Sequence, residues 1–188
     1  MRQKITKILT KYAIVVLLCT FVVESCALSA PQDTLYMLPY EQKQALSALK
    51  SALKHARSDI KISIYSFTHN DIAKILRDVA KRGVKVHIIY DKESNMENKN
   101  STIGYLAKYN NIFVCLLSGV PAKNKRYFGI MHQKMAIIDD EILILGSANW
   151  SKNAFENNFE TLLISSNADF IRKANQAFDK MRQSCLGF

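Results

Sequence analysis

The stretch that decides the fold is His132-Gln-Lys-Met-Ala-Ile-Ile-Asp139. Residues 129–138 have an apolar, strand-like character, which predicts a strand over that range. Because side chains two positions apart on a strand share a face, His132 and Lys134 are predicted to point the same way. Asp139 has the opposite parity, so we predict a structural role for it.

A second polar pair follows on the next predicted strand. Gly146-Ser-Ala-Asn-Trp150 comes after the apolar run 142–145, and Ser147 and Asn149 again lie two positions apart. A histidine can act as nucleophile or proton donor near neutral pH. Ammonium, hydroxyl and amide groups can donate hydrogen bonds to negative phosphoryl oxygens. The two runs together therefore indicate attack on a phosphodiester.

These residues resemble the signature of the phospholipase D superfamily, H-x-K-x4-D followed by G-S-x-N. Residues 62–67 (Ile-Ser-Ile-Tyr-Ser-Phe) resemble the family's first core strand, and residues 82–91 its helix-to-strand step. Asn158-x-Glu160 resembles the acidic position that follows the main motif. The chain has a single H-x-K, which makes it similar to the bacterial Nuc-type endonucleases and to the mitochondrial cardiolipin hydrolase relatives, not to the long two-copy phospholipases.

The resemblance implies a shared catalytic site. Attack and departure occur on opposite sides of phosphorus, so one histidine cannot serve both steps, and a two-fold homodimer would supply the second. One His132 would form a phosphohistidine while its dimer mate protonates the leaving group. Lys134 and Asn149 would hold the phosphoryl oxygens, and Ser147 would orient or donate. Glu160 would accept a hydrogen bond from His132; the alternative is a surface carboxylate near a strand start.

We expect neither a cofactor nor a metal. The sequence contains no C-x-x-C or H-x3-H spacing of the kind that binds zinc. Lys134 and Asn149 can supply the positive field that a metal ion would otherwise provide. Cys115 and Cys185 could pair in an exported protein, but the sequence does not place them within bonding distance.

The segment 118–128 interrupts the regular pattern and is rich in bases and aromatics. Cations contact phosphates and rings stack on bases in single-stranded nucleic acid, which predicts nucleic-acid binding here. The alternative is an ordinary connecting loop. The candidate binding residues are Lys123, Lys125, Arg126 and Tyr127.

Predicted strands and helices alternate along residues 35–182. This alternation predicts an α/β fold, an α-β-α sandwich with a mixed, largely parallel sheet, and the family resemblance implies the same. Besides the two motif strands, the predicted strands are 35–38, 59–67, 84–90, 112–117 and 159–164. The predicted helices are 40–56, 70–81 and 169–182, and the stretch 95–109 is polar at first and predicted to be helical towards its end.

Residues 1–30 read as a targeting segment. A basic head precedes a largely apolar run of twelve residues, 12–23, and small residues follow, as in a secretory signal peptide. An uncleaved N-terminal membrane anchor is the alternative, and lipidation at Cys26 is a third reading. Residues 31–188 are then predicted to form a single phospholipase D-like nuclease domain. We expect the protein in the periplasm, or associated with a membrane on the outer side of the inner membrane or at the outer membrane.

The formal net charge of the chain is +10, with 26 Lys and Arg against 16 Asp and Glu. Such an excess favours a polyanionic partner. We predict a nuclease that prefers single-stranded DNA, with RNA also open as substrate. The alternatives are a hydrolase of anionic phospholipid such as cardiolipin, and a DNA-binding uptake module with little cleavage.

Overall fold

The computed structural model describes residues 33–124 and 126–188, so the predicted leader at 1–30 and Lys125 lie outside the described residues. Within them, eight strands form one sheet with helices beside it. The strands are β1 (Asp33–Leu38), β2 (Asp59–Ile64), β3 (Lys85–Asp91), β4 (Ile112–Leu117), β5 (Lys134–Ile138), β6 (Ile142–Gly146), β7 (Glu160–Ser165) and β8 (Leu186–Gly187). The helices are α1 (Gln42–Lys54), α2 (Asn70–Lys81), α3 (Lys92–Met96), α4 (Ile103–Leu106), α5 (Lys152–Glu156) and α6 (Ala168–Gln183).

The strand order across the sheet is β1-β7-β6-β5-β2-β3-β4-β8. Strands β2, β3 and β4 run parallel, and the other neighbouring pairs among the described strands are antiparallel. The predicted mixed α/β sheet is confirmed, but the expectation that it is largely parallel is wrong. Helices connect β2 to β3 and β3 to β4, whereas β5 and β6 are joined by a short turn in which Asp139 and Asp140 have φ of 53° and 54°.

Helices cover both faces of the sheet. On α1, Ala45, Leu49 and Leu53 recur four residues apart and are buried, and α2 presents a similar apolar stripe to the same core cluster. On the other face, Ile171 and Phe178 of α6 pack over β5 and β6. Burial of each such side chain contributes roughly 1.5–3 kcal/mol, so the amphipathic helices fix the sandwich.

A disulfide between Cys115 and Cys185 ties strand β4 to the segment that follows α6. The two Cα atoms are 5.7 Å apart, within the ordinary range for a disulfide. The structure thus pairs two cysteines whose pairing the sequence leaves open. A link over 70 residues typically contributes about 2–4 kcal/mol to stability.

The strand directions bring polar side chains together at one end of the strands, along one of the two rims that the strand ends form. We call this the upper edge: β2, β3 and β6 end there, and β5 and β7 begin there. The lower edge is the opposite one, where β5 ends. Among the described residues, no helix combines the length and apolar character needed to cross a membrane.

Candidate active site

His132 lies at the upper edge in the loop just before β5. The prediction that the strand includes His132 is wrong, because β5 begins at Lys134. The chain still runs beside β2 at this point, since the main-chain N–H of Tyr65 donates to the carbonyl of Gln133 at 2.8 Å. The imidazole is exposed, and its ring centroid lies 4.5 Å from that of Tyr65. His132 is therefore open to a substrate and supported on one side.

Lys134 is a buried cation beside His132, with 6% of its surface exposed. Its ammonium donates to the carbonyl oxygen of His132 at 2.9 Å and lies 4.9 Å from the centre of the Tyr65 ring. Burial lowers the pKa of Lys134 from its ordinary value, while the charges of Glu160 and Asp91 act in the opposite direction. An ammonium has three N–H donors, and the described residues accept from one of them, which leaves two for an anionic ligand.

Asp91, near this cation, joins two segments of the chain through hydrogen bonds to its carboxylate. It is fully buried, and its two carboxylate oxygens accept hydrogen bonds from the main-chain N–H groups of Ser94 and Met131, each at 2.9 Å. Met131 directly precedes His132, so the carboxylate fixes the segment that carries the imidazole. Sequence reasoning missed Asp91; the signal was an acidic residue that ends an otherwise apolar strand.

Tyr65 was also missed, although it contacts both residues of the H-x-K motif. Its main-chain carbonyl accepts hydrogen bonds from the hydroxyl of Ser94 and, at 2.7 Å, from the side-chain amide of Asn95. These contacts hold the residue from its backbone and leave the ring directed to His132 and Lys134. A lone aromatic residue at the end of a strand carries no sequence signal for this role.

Ser147 and Asn149 follow β6 at the same edge. Ser147 Oγ accepts a hydrogen bond from the main-chain N–H of Thr161 at 3.0 Å, which leaves its O–H free to donate. Gly146 permits this approach, because a Cβ there would lie 2.1 Å from the carbonyl oxygen of Thr161. Asn149 is half-buried, and its Oδ1 is enclosed without a hydrogen-bond partner among the described residues.

Glu160 begins β7 and differs from its expected contact. The side-chain amide of Asn158 donates to Glu160 Oε1 at 3.4 Å, and no hydrogen bond joins Glu160 to His132 in the part of the chain that the structure describes. The carboxylate instead acts on the site through its charge, which opposes the lowering of the Lys134 pKa by burial. The expected hydrogen bond from His132 to Glu160 therefore has no support in this geometry.

Asp139 lies at the lower edge, away from the other motif residues. Its carboxylate accepts hydrogen bonds from the main-chain N–H groups of Arg57, Ser58 and Asp59 at 2.9, 2.8 and 3.0 Å, and from the Ser58 hydroxyl at 2.9 Å. Burial by itself would raise the pKa of Asp139, but these hydrogen bonds outweigh it and the pKa is lowered. The carboxylate thus joins the end of β5 to the start of β2.

Residues 118–124 and 126–130, the described part of the basic segment, form a hairpin-like projection after β4. Main-chain hydrogen bonds close it from Gly119 N–H to Gly129 carbonyl at 2.7 Å and from Ala122 N–H to Tyr127 carbonyl at 2.9 Å. Of its candidate binding residues, Lys123, Arg126 and Tyr127 are exposed, and Tyr127 is 65% exposed. Lys123 and Arg126, the described cations of the projection, lie between the two ends of the Ala122–Tyr127 hydrogen bond and are exposed to solvent.

Within residues 33–124 and 126–188, no group of three or more His, Cys, Asp or Glu side chains is placed to hold a metal ion. The positive charge at the site comes from Lys134. Metal independence stays a prediction for the activity assays proposed below.

The sequence and the fold match known proteins over most of the chain. A family model described as "Cardiolipin synthase, PLD-like domain" matches residues 49–182. The mitochondrial cardiolipin hydrolase of Mus musculus is 31% identical over 144 residues, which are 77% of this chain and 60% of that protein. The human mitochondrial cardiolipin hydrolase is also 31% identical, and the match covers 53% of its length. The chain therefore spans between half and two thirds of these relatives.

Two solved structures share the fold along their whole length. NucT from Helicobacter pylori is 58% identical with a TM-score of 0.83, covering 85% of this chain and 100% of that one. Nuc from Salmonella typhimurium, a phospholipase D family member, is 26% identical with a TM-score of 0.72, covering 85% and 99%. These matches, with the His132–Lys134 pair at the upper edge, show that the chain belongs to the phospholipase D superfamily.

Proposed function

We propose that the protein is an exported, metal-independent nuclease that hydrolyses phosphodiester bonds of nucleic acid and prefers single strands. The observation that carries the proposal is the exposed imidazole of His132 beside the buried ammonium of Lys134. A neutral imidazole can attack phosphorus, and a cation in a partly desolvated site stabilises the charge on the equatorial oxygens. The 58% identity to NucT from Helicobacter pylori supports this choice over a lipid substrate.

The reaction proceeds in two displacements. An imidazole nitrogen of His132 attacks phosphorus, a P–N bond forms, and the P–O bond to the leaving nucleoside breaks. The partner subunit's His132, initially protonated, gives its proton to the leaving oxygen. Water then attacks the phosphohistidine from the opposite side and gives its proton to the partner subunit's His132, and the P–N bond breaks. Both histidines return to their starting states, and the product keeps a phosphate.

A second copy of the chain is part of this proposal, because one chain supplies one motif histidine. Exposed apolar side chains near the upper edge offer a contact surface for it. Leu35 and Met37 of β1 are 57% and 48% exposed, and Leu145 of β6 is 36% exposed, all on the face that α6 only partly covers. Contiguous exposed apolar side chains of this kind favour protein contact. A two-fold axis beside them would bring the two sites together.

The hairpin-like projection at 118–130 supports nucleic acid as the substrate. Lys123 and Arg126 are exposed cations beside the exposed ring of Tyr127, the combination that binds phosphates and stacked bases of a single strand. A duplex would fit less well, because its scissile phosphate must reach histidines between two protomers.

Export is supported by the disulfide between Cys115 and Cys185, since disulfides persist in oxidising compartments such as the periplasm. We propose that residues 1–30 direct the chain there as a signal peptide or hold it at a membrane as an anchor.

Hydrolysis of an anionic phospholipid is the second candidate function. The similarity to mitochondrial cardiolipin hydrolases favours it. So do the exposed side chains of Val120, Phe128 and Ile130 on the hairpin-like projection, which could enter a membrane interface.

Parallel assays in excess EDTA separate the candidates. Labelled single-stranded DNA, duplex DNA and vesicles containing cardiolipin are incubated with wild-type protein and with the His132→Ala variant. We expect single-stranded DNA to be cut fastest, with no cleavage by the variant. Faster release of phosphatidic acid than of nucleotides would favour the lipid substrate. Activity lost in EDTA and restored by magnesium or zinc would contradict the mechanism, and DNA binding without any cleavage would indicate a binding module.

A further inference from the structure

A polar groove of about 590 Å³ lies beside the upper edge, outside the residues assigned to catalysis. It lies between the start of α2, the segment before α4 and the start of α5. All ten of its lining residues are basic or neutral polar ones, and none is acidic or aliphatic. Those used below are Thr68, Asn70, Lys99, Ser151, Lys152 and Asn153.

The groove adjoins the site through the main chain. The N–H groups of Thr68 and His69 both donate to the carbonyl of Trp150 at 2.9 Å, which joins the two walls of the groove. Ser151 is two residues beyond Asn149, and Thr68 is three residues beyond Tyr65. Three residues span at most about 11 Å, so the groove begins within that distance of the Tyr65 that contacts His132.

Two exposed lysines give the groove its charge. Lys99 and Lys152 take part in no salt bridge within the described residues. Asp71, an acid next to the groove, is paired with Lys50 at 3.4 Å and with Lys74 at 3.8 Å. The two lysines are therefore available to an anion, and the Asn, Ser and Thr side chains can donate hydrogen bonds to it.

We infer that this groove binds the sugar–phosphate backbone of the nucleic-acid substrate on one side of the scissile phosphate. The inference rests on the proposed nuclease function. Lysine, asparagine, serine and threonine are the side chains that contact phosphate and sugar without reading sequence. The lining surface is mainly polar, and Tyr105 contributes its one aromatic ring, so the groove suits a polyanion better than the tail of a lipid.

Together with the hairpin-like projection at 118–130, the groove gives the substrate two contact regions. Met131, which follows the projection, packs under α6, whereas the groove borders α2 on the opposite face of the sheet. A single strand of nucleic acid that contacts both regions passes over His132. The groove therefore makes the enzyme sensitive to the length of the strand and leaves it insensitive to base identity.

The test is the double variant Lys99→Ala/Lys152→Ala. Its matched control is Lys54→Ala/Lys85→Ala, which removes the same charge at the end of α1 and the start of β3, at the lower edge. Affinity for fluorescent single-stranded DNA is measured over a salt series in the His132→Ala background, so that cleavage does not interfere. Steady-state kinetics are measured with the native histidine on a long oligonucleotide and on a dinucleotide. Melting temperatures confirm that each variant folds.

We expect the groove variant to bind the long strand about tenfold more weakly and to lose about 1.4 units of log–log salt slope, roughly 0.7 for each lost phosphate contact. KM for the long oligonucleotide should rise with kcat unchanged, and the dinucleotide kinetics should match those of wild type. The lower-edge control should have the smaller effect on affinity and slope.

Equal losses of DNA affinity in the two double variants would overturn the groove inference and leave the nuclease function standing. The same conclusion would follow if the groove variant lost binding to cardiolipin vesicles but kept its affinity for single-stranded DNA. A wild-type protein that cuts no nucleic acid would overturn the proposed function and the groove with it.

Discussion

The two ends of strand β5 carry polar side chains in opposite situations. At the lower edge, Asp139 accepts four hydrogen bonds from neighbouring residues of its own fold. At the upper edge, Lys134 is more buried than Asp139, yet among the described residues it donates to one carbonyl and lies against an aromatic ring. A buried polar group with its hydrogen bonds satisfied stabilises the fold, whereas one with donors left over is available for a ligand. The motif therefore contains a structural residue at the lower edge, Asp139, and a cation available for a ligand at the upper edge, Lys134.

The largest expected effect is a loss of activity on substitution of Lys134, the upper-edge residue. Replacing it with methionine keeps the length of the side chain and removes the cation, so kcat should fall about 10²–10³-fold, as for loss of one group that stabilises a transition-state oxyanion. Unfolding should be little affected, because a desolvated charge is lost at the same time. Kinetics and thermal denaturation measure the two quantities. Lys61→Ala, at the lower edge of β2, is the control and should keep its kcat.

Asp139→Asn should show the reverse pattern. Asparagine tolerates the positive φ of this position, but its NH2 group cannot accept from the main-chain N–H groups, so we expect a loss of about 2–3 kcal/mol in the free energy of unfolding. Because the pKa of Asp139 is lowered in the folded state, its stabilisation is present above the ordinary range for aspartate and is lost as the pH falls through the folded pKa.

The matched control for this change is Asp140→Asn, which has the same backbone conformation but an exposed ion pair with Lys61. It should lose at most about 1 kcal/mol. The structural role of Asp139 would be contradicted if the two substitutions destabilised the protein equally. It would also be contradicted if kcat of folded Asp139→Asn protein fell as much as that of Lys134→Met.

A smaller effect is expected at Tyr65, whose ring contacts both motif residues at the upper edge. Tyr65→Leu removes the cation–π contact with Lys134, worth about 1–2 kcal/mol when desolvated, so kcat/KM should fall roughly 5–30-fold. Tyr65→Phe keeps the ring and should stay close to wild type. If the two variants lose activity equally, the hydroxyl and not the ring is the important group.

The smallest effect should be a shift in pH dependence at Glu160. Its charge raises the pKa of Lys134 against the larger, lowering effect of burial. Glu160→Gln should therefore lower that pKa further, and the alkaline limb of kcat/KM should move to lower pH because the ammonium is lost earlier. Glu141→Gln, at the lower edge beside Arg57, serves as control. An unmoved alkaline limb would show that Glu160 does not act on this lysine.

The sequence predicts the α/β sandwich and the family, because apolar periodicity and the H-x-K motif are local patterns. Prediction from the sequence fails for features that depend on contacts between residues far apart in the chain. The sheet is mainly antiparallel because β5, β6 and β7 are neighbours in space as well as in sequence, and their connections, a short turn and a segment with the short helix α5, reverse the chain direction; alternation alone does not reveal this. Asp91 and Tyr65 were missed because their partners, Met131 and His132, lie far along the chain. The roles of the predicted catalytic residues stay predictions.

The central claim is that the exposed histidine at the upper edge works only with its copy from a second chain. Wild-type and His132→Ala chains are unfolded together and refolded in varying proportions, and mixed dimers are confirmed by mass. If each site needs both histidines, activity should fall as the square of the wild-type fraction, so an equal mixture retains about a quarter, because loss of the general acid alone costs about 10²–10⁴-fold. A linear fall, with about half of the activity left, would contradict the shared site.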